Sequence, residues 1–158
     1  MKAIQKLAID DPRWNELQTG FETPFQHCQL VGELETAPEL HPVLGKLGPE
    51  LNNQGQIGDA EYAVLPWIVS AIALHHRWDF FAMSIVVDLD HCRRNSAPPT
   101  AFLSEMYGNA MDAFFTLSNE LFPSDAQARD YVLMGSIVAN YRDEFELSQR
   151  IFDFAVML

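Results

Sequence analysis

Apolar residues recur at helical spacing through most of the chain after residue 58. From Asp59 to His76 they follow at steps of three and four residues, which predicts a helix with Asp59 at its start. Pro66 lies inside this pattern, and we expect it to kink the helix because it removes one backbone hydrogen bond. The stretch from Asp79 to Arg94 is apolar on nearly all sides, which predicts a central, buried helix.

Three further helices are predicted towards the end of the chain. The spacing of three and four residues continues from Leu103 to Leu121 and predicts that Phe114 lies in the core. After a break that contains a proline, the same spacing resumes from Tyr131 to Tyr141. Asp143, with Glu146 three residues later, then predicts the cap of a last helix.

Residues 1–58 differ from the rest of the chain. They contain most of its prolines and glycines, and the apolar pieces between these residues are short. This composition predicts short helices and loops, with a long loop over residues 45–58. No segment of the whole chain alternates between apolar and polar residues as a half-buried strand does.

The predicted fold is therefore a single all-α domain over residues 1–158, with short helices and loops in residues 1–58 and long helices in residues 59–158. The short breaks between the long helices favour antiparallel helical pairs. Residues 59–94 and 100–141 each form a predicted helix-turn-helix of about 40 residues, the size of a HEAT-type unit. Two arrangements stay open at this point, a HEAT-like right-handed stack and an irregular helical bundle.

Charge narrows the range of partners. The chain has 158 residues, of which 48% are hydrophobic, as is usual for one globular domain. However, 10 Lys and Arg residues stand against 22 Asp and Glu residues, for a formal net charge of −12. A surface of this charge repels nucleic acids and anionic membranes, and it accelerates encounter with a basic protein. We therefore expect a basic protein partner, and neither nucleic acid nor membrane.

The predicted location is the cytoplasm. No apolar stretch has the length of a bilayer span, and no export signal is visible at the start of the sequence. Two cysteines, Cys28 and Cys92, are too few for a disulfide framework in a chain of this size, which fits a reducing compartment.

Few residues suggest chemistry. Asp88, His91 and Cys92 stand at positions i, i+3 and i+4 of one predicted helix, where metal-binding side chains can converge. A site would need further ligands from elsewhere, so structural residues are the favoured interpretation. No nucleophile elbow, phosphate-binding loop or dinucleotide motif occurs. The sequence thus predicts no catalytic residue, no metal, no cofactor and no enzymatic activity.

Two polar segments are predicted to bind the partner, because one is a long adaptable loop and the other concentrates three carboxylates around Phe145. The candidate residues of the first segment are Asn53, Gln54, Gln56, Asp59 and Glu61. The candidate residues of the second segment are Asp143, Glu144 and Glu146.

Residues 53–69 resemble a group of small bacterial helical-repeat proteins. That group shows a His-Gln-Gly turn and then a helix that reads roughly Ala-x-Tyr-Ala-x-x-Pro-x-Leu-Val. Gln54-Gly55, Tyr62-Ala63 and Pro66 fall in the expected order, whereas Asn53 stands in place of the His and Ile68 in place of the Leu. Many such proteins are HEAT-like and occur as immunity or accessory proteins beside polymorphic toxins.

The resemblance implies an immunity protein that binds and occludes a cognate toxin, for instance a nuclease. Two alternatives stay open. One is a helical scaffold or adaptor with a partner that is not a toxin, and the other is a metal-dependent enzyme that uses His91, Cys92 and carboxylates. A toxic basic protein that co-purifies would identify the first function, and stoichiometric zinc or iron would identify the last.

Overall fold

The chain folds into helices joined by turns and loops. A computed structural model describes residues 4–51 and 55–158. Over these ranges there is no strand, only an isolated antiparallel bridge between Gln18 and Pro24, and the predicted all-α fold class is confirmed. A short 3₁₀ helix spans Pro12–Glu16, and the α-helices are α1 (Cys28–Glu33), α2 (His41–Leu51), α3 (Asp59–His75), α4 (Phe80–Arg93), α5 (Ala101–Leu121), α6 (Ala128–Tyr141) and α7 (Phe145–Ala155). None of these helices is both long and apolar enough to cross a bilayer.

Local sequence explains where the long helices begin and end. Asp79 caps α4, because its side chain accepts a hydrogen bond from the backbone N–H of Ala82 at 3.0 Å. The helix α3 continues through Pro66 and ends where His76 adopts a left-handed φ of 48°. The last helix begins later than the sequence pattern predicts, since Asp143 has a φ of 61° and belongs to the turn before α7.

The predicted long loop over residues 45–58 is wrong in its first part. The helix α2 includes Gly45, Gly48 and Pro49, although all three are poor helix formers. One face of α2 is nevertheless apolar at helical spacing, and burial of this face outweighs the low propensity. Its buried residues are Val43, Leu44, Leu47 and Leu51.

A cluster of buried apolar side chains runs through the described part of the chain. It takes side chains from all seven helices and from the segment before α1, including Leu7 and Trp14. Phe114 is 2% exposed, as predicted for a core residue. The helix α4 contacts α2, α3, α6 and α7, which is the central position expected for it, although α3 is the more apolar of the two helices and has more buried residues.

Candidate functional site

An open cleft of about 300 Å³ lies where α4, α5 and α6 meet the turn into α7. Its lining combines an apolar floor with a buried polar cluster, an aromatic wall and an acidic rim. The floor consists of Val87, Met111, Phe114 and Ile137. Concave sites with apolar walls and a few placed polar groups are the usual places for a ligand or for a side chain of a partner. We therefore treat this cleft as the main candidate site.

A buried carboxylate, that of Asp90, organises the polar side of the cleft. Asp90 is 3% exposed and accepts hydrogen bonds from Arg93 Nε at 3.0 Å, from Asn140 Nδ2 at 2.6 Å and from the hydroxyl of Tyr107. Burial by itself raises the pKa of this carboxyl, but the charge of Arg93 and the hydrogen bonds outweigh burial and hold the pKa of Asp90 below its usual value. Because protein donors occupy the carboxylate, it links three helices and is not a free acid or base.

Aromatic side chains form one wall of the cleft. The rings of Phe115 and Tyr141 stack with centroids 3.6 Å apart and planes 6° apart, and Tyr141 remains 57% exposed. The guanidinium group of Arg94 lies over the ring of Phe145 and donates to Asn140 Oδ1 at 2.9 Å. A cation of the protein thus already rests on an aromatic ring at the edge of this site.

The rim of the cleft is acidic and is open along α5. Asp112 and Asp143 are exposed, and neither is in an ion pair with any residue that the structure describes. The other charged lining residues, Asp90 and Arg93, pair with each other. Gly108 lies on the same face of α5, and a Cβ atom built on it meets no atom within 4 Å. The mouth of the cleft therefore carries negative charge, and no side chain at position 108 narrows it.

The acidic segment predicted from the sequence lies beside this cleft. Asp143, Glu144 and Glu146 are all exposed at the turn between α6 and α7, and we call these three residues the acidic turn. Asp143 and the adjacent Phe145 both line the cleft. The role of the acidic turn in partner binding stays a prediction.

Part of the other predicted segment borders a second cleft, of about 390 Å³. Gln56 is exposed there and Asp59 is half-buried. The rest of the lining of this second cleft comes from the segments 16–22, 57–58 and 95–98. Asn53 and Gln54 lie outside the described residues.

The prediction that Glu61 offers a surface carboxylate to the partner is wrong, since Glu61 is 0% exposed. Its carboxylate accepts hydrogen bonds from the backbone N–H groups of Gly58 and Gly20, each at 2.9 Å. Glu61 stands three residues after the N-cap Gly58, where a glutamate side chain reaches back to the cap. Burial raises the pKa of Glu61 to about 7. The residue joins the loop before α1 to the start of α3.

The structure does not gather Asp88, His91 and Cys92 into a metal site. The Nε2 atom of His91 is hydrogen-bonded to Ser148 Oγ at 2.8 Å, and burial lowers the pKa of His91. Burial raises the pKa of the Cys92 thiol to about 11, which disfavours the thiolate that binds metals. Within residues 4–51 and 55–158, no group of three or more His, Cys, Asp or Glu side chains is placed to hold a metal ion.

His91 instead belongs to a buried cluster of hydroxyl groups. Ser148 Oγ donates to the carbonyl of Ser136 at 2.9 Å, and Ser136 Oγ donates to the carbonyl of Ser148 at the same distance. A histidine beside a serine is also the arrangement of a catalytic nucleophile and its base. Here, however, both serines are 0% exposed, so no substrate reaches them. The cluster attaches α7 to α4 and α6.

Sequence reasoning missed the polar cluster of the main cleft, formed by Asp90, Tyr107 and Asn140. These residues come from three helices, and Asn140 is 50 positions from Asp90 along the chain. One signal was available, because Asp90 follows the stretch of residues 80–89, which is apolar except for Ser84 and Asp88, and a carboxylate in such a place needs buried partners.

Known proteins do not supply a function for these clefts. Comparisons of the chain with protein-family models, with curated proteins and with solved structures find no match.

Proposed function

We propose that the protein is a cytoplasmic, non-enzymatic binding protein that captures a basic protein partner through the acidic turn and the adjacent main cleft. The observation that carries this proposal is the position of three exposed carboxylates beside an open cleft with an aromatic wall, in a chain of net charge −12. Such a charge distribution steers a basic partner towards the acidic turn before contact. Exposed tyrosines such as Tyr141 are enriched where proteins bind each other.

In this proposal the partner is a bacterial toxin, and the protein inhibits it by occlusion. The resemblance of residues 53–69 to helical-repeat immunity proteins supports this assignment. A nuclease is a suitable target, because a toxin cleft that holds phosphate groups also attracts carboxylates. Occlusion requires surface contacts and charge but no catalytic group in the inhibitor.

The first experiment identifies the partner. The tagged protein is used to capture proteins from its source cells at low salt, and the captured proteins are identified by intact mass. We expect a basic protein that is toxic when expressed alone and harmless when co-expressed with this chain. A basic partner without toxicity would favour the alternative of a scaffold or adaptor, and capture of no basic protein would contradict the proposal.

The second experiment locates the docking surface. The variant Asp143→Lys/Glu144→Lys/Glu146→Lys should slow association with the partner, and the association rate of the parent should fall steeply as salt screens the field. Dissociation should change less. The matched control is Glu33→Lys/Glu39→Lys/Glu120→Lys, which changes the net charge equally at exposed positions elsewhere. Equal slowing by both variants would mean that total charge, and not the acidic turn, governs capture.

A further inference from the structure

We infer that the main cleft receives an arginine side chain presented by a protein partner. This inference rests on the proposed function for the existence of a basic partner, and it names the chemical group of that partner which the cleft holds.

The charges around the cleft favour a cation at its mouth. The lining contains three acidic residues and one basic residue, and the pair between Asp90 and Arg93 leaves Asp112 and Asp143 at the rim. Arg94 lies close enough to Asp143 to interact with it electrostatically, but Asn140 and Phe145 hold its guanidinium group to one side. An anionic ligand would meet both rim carboxylates, whereas a cation is attracted to them.

The aromatic wall favours a guanidinium group over an ammonium group. A guanidinium group is planar and weakly hydrated, and it stacks on aromatic faces, whereas the lysine ammonium group is compact and strongly hydrated. The stacked rings of Phe115 and Tyr141 border the cleft, and more than half of Tyr141 is exposed. The methylene groups of an arginine would contact apolar lining residues such as Met111.

Gly108 leaves room for an occupant at the mouth of the cleft. A Cβ atom at Gly108 would meet nothing within 4 Å. The missing side chain leaves the cleft open along α5, which is what an inserted side chain requires.

The inference is tested by NMR titration of the isotopically labelled protein with the capped tripeptide acetyl-Gly-Arg-Gly-amide. We expect saturable shifts of the backbone amide signals of Gly108 and Tyr141, at least threefold weaker binding of the lysine peptide, and no saturable binding of the isosteric, uncharged citrulline peptide. Equal binding of the citrulline peptide would overturn the inference. Tighter binding of free arginine than of the tripeptide would also overturn it, since the site would then take a small molecule.

Two variants locate the binding. Gly108→Leu fills the mouth of the cleft and should weaken binding of the arginine peptide at least tenfold, whereas Gly45→Leu makes the same change at an exposed helical glycine of α2 and should leave binding unchanged. Should Gly108→Leu fail to fold, Asp112→Asn/Asp143→Asn keeps the shape and removes the rim charge, and it should weaken binding at least threefold. Unchanged binding in a folded cleft variant contradicts the inference.

The natural partner separates this inference from the proposed function. Capture that depends on the acidic turn but is unaffected by Gly108→Leu would support the proposed function and overturn the arginine site. Saturable peptide binding in the cleft without capture of any basic protein would support the arginine site and overturn the proposed function.

Discussion

At the scale of single residues, Glu61 shows how one buried carboxylate makes stability depend on pH. Burial raises its pKa from 4.5 to about 7. Between these two values the folded state keeps a proton that the unfolded state has released. Below pH 4.5 this proton therefore contributes about 3 kcal/mol to the free energy of unfolding. The contribution is lost as pH rises to about 7.

We predict that Glu61→Gln makes the free energy of unfolding less dependent on pH between pH 4.5 and about pH 7, because the amide does not titrate. Urea unfolding at a series of pH values measures this dependence. Glu39→Gln makes the same chemical change at an exposed site and should keep the slope of the parent. A slope for Glu61→Gln equal to that of the parent would mean that Glu61 does not titrate in this range.

A second residue-scale prediction concerns the hydroxyl cluster between α4, α6 and α7. Ser148→Ala removes the hydroxyl that contacts His91 Nε2 and Ser136, and it leaves buried polar atoms without a partner. We expect the free energy of unfolding to fall by about 1–3 kcal/mol in urea unfolding experiments. The control is Ser124→Ala, at an exposed turn position before α6. A loss no larger than that of the control would show that the cluster adds little stability.

At the scale of elements, a glycine inside α5 and the glycine that caps α3 should respond to alanine with opposite signs. Gly108→Ala should raise the free energy of unfolding by about 0.5–1 kcal/mol, because alanine is the better helix former and its Cβ atom meets nothing. Gly58→Ala should lower it, because the Cβ atom would lie 2.4 Å from the carbonyl oxygen of Gln18. Urea midpoints compare the two variants directly. A stabilising Gly58→Ala would contradict the close approach of this loop to the start of α3.

The long helices could be predicted because burial of one face imposes its period on the sequence. This is why α3 to α6 are recognisable in the sequence. The helix α2 was not predicted, because Gly45, Gly48 and Pro49 have low helix propensity and suggested a loop. The helical spacing of the apolar residues around them was the stronger signal, since burial of that face stabilises the helix.

The candidate site was predicted only in part. The acidic turn is continuous in sequence, so its charge and its aromatic neighbour Phe145 could be recognised directly. The main cleft could not be predicted, because Asp90, Tyr107 and Asn140 lie on separate helices and meet only when these helices pack. Glu61 was placed on the surface because carboxylates usually are, although its spacing from Gly58 already indicated a capping role.

At the scale of the whole molecule, the net charge of −12 opposes folding, because like charges repel each other in the compact state. The described residues contain three ion pairs of Lys or Arg with an acidic residue, Lys6–Glu35, Arg13–Asp11 and Arg93–Asp90, and a contact of His27 with Glu50, so most of the acidic side chains have no cationic partner at short range. Repulsion among these carboxylates is present in the compact state and weaker in the expanded unfolded chain. Screening by salt should therefore favour the folded state.

We predict that the Tm rises by about 2–5 °C between about 0.01 M and about 0.1 M NaCl, as the screening length falls from about 30 Å to about 10 Å. The rise should be smaller in Asp143→Lys/Glu144→Lys/Glu146→Lys and equally smaller in Glu33→Lys/Glu39→Lys/Glu120→Lys, because self-repulsion depends mainly on total charge. Partner capture, by contrast, should separate these two variants. A Tm that falls with salt in the parent would mean that attractive ion pairs outweigh the repulsion, and the surplus of acidic residues would then not limit stability.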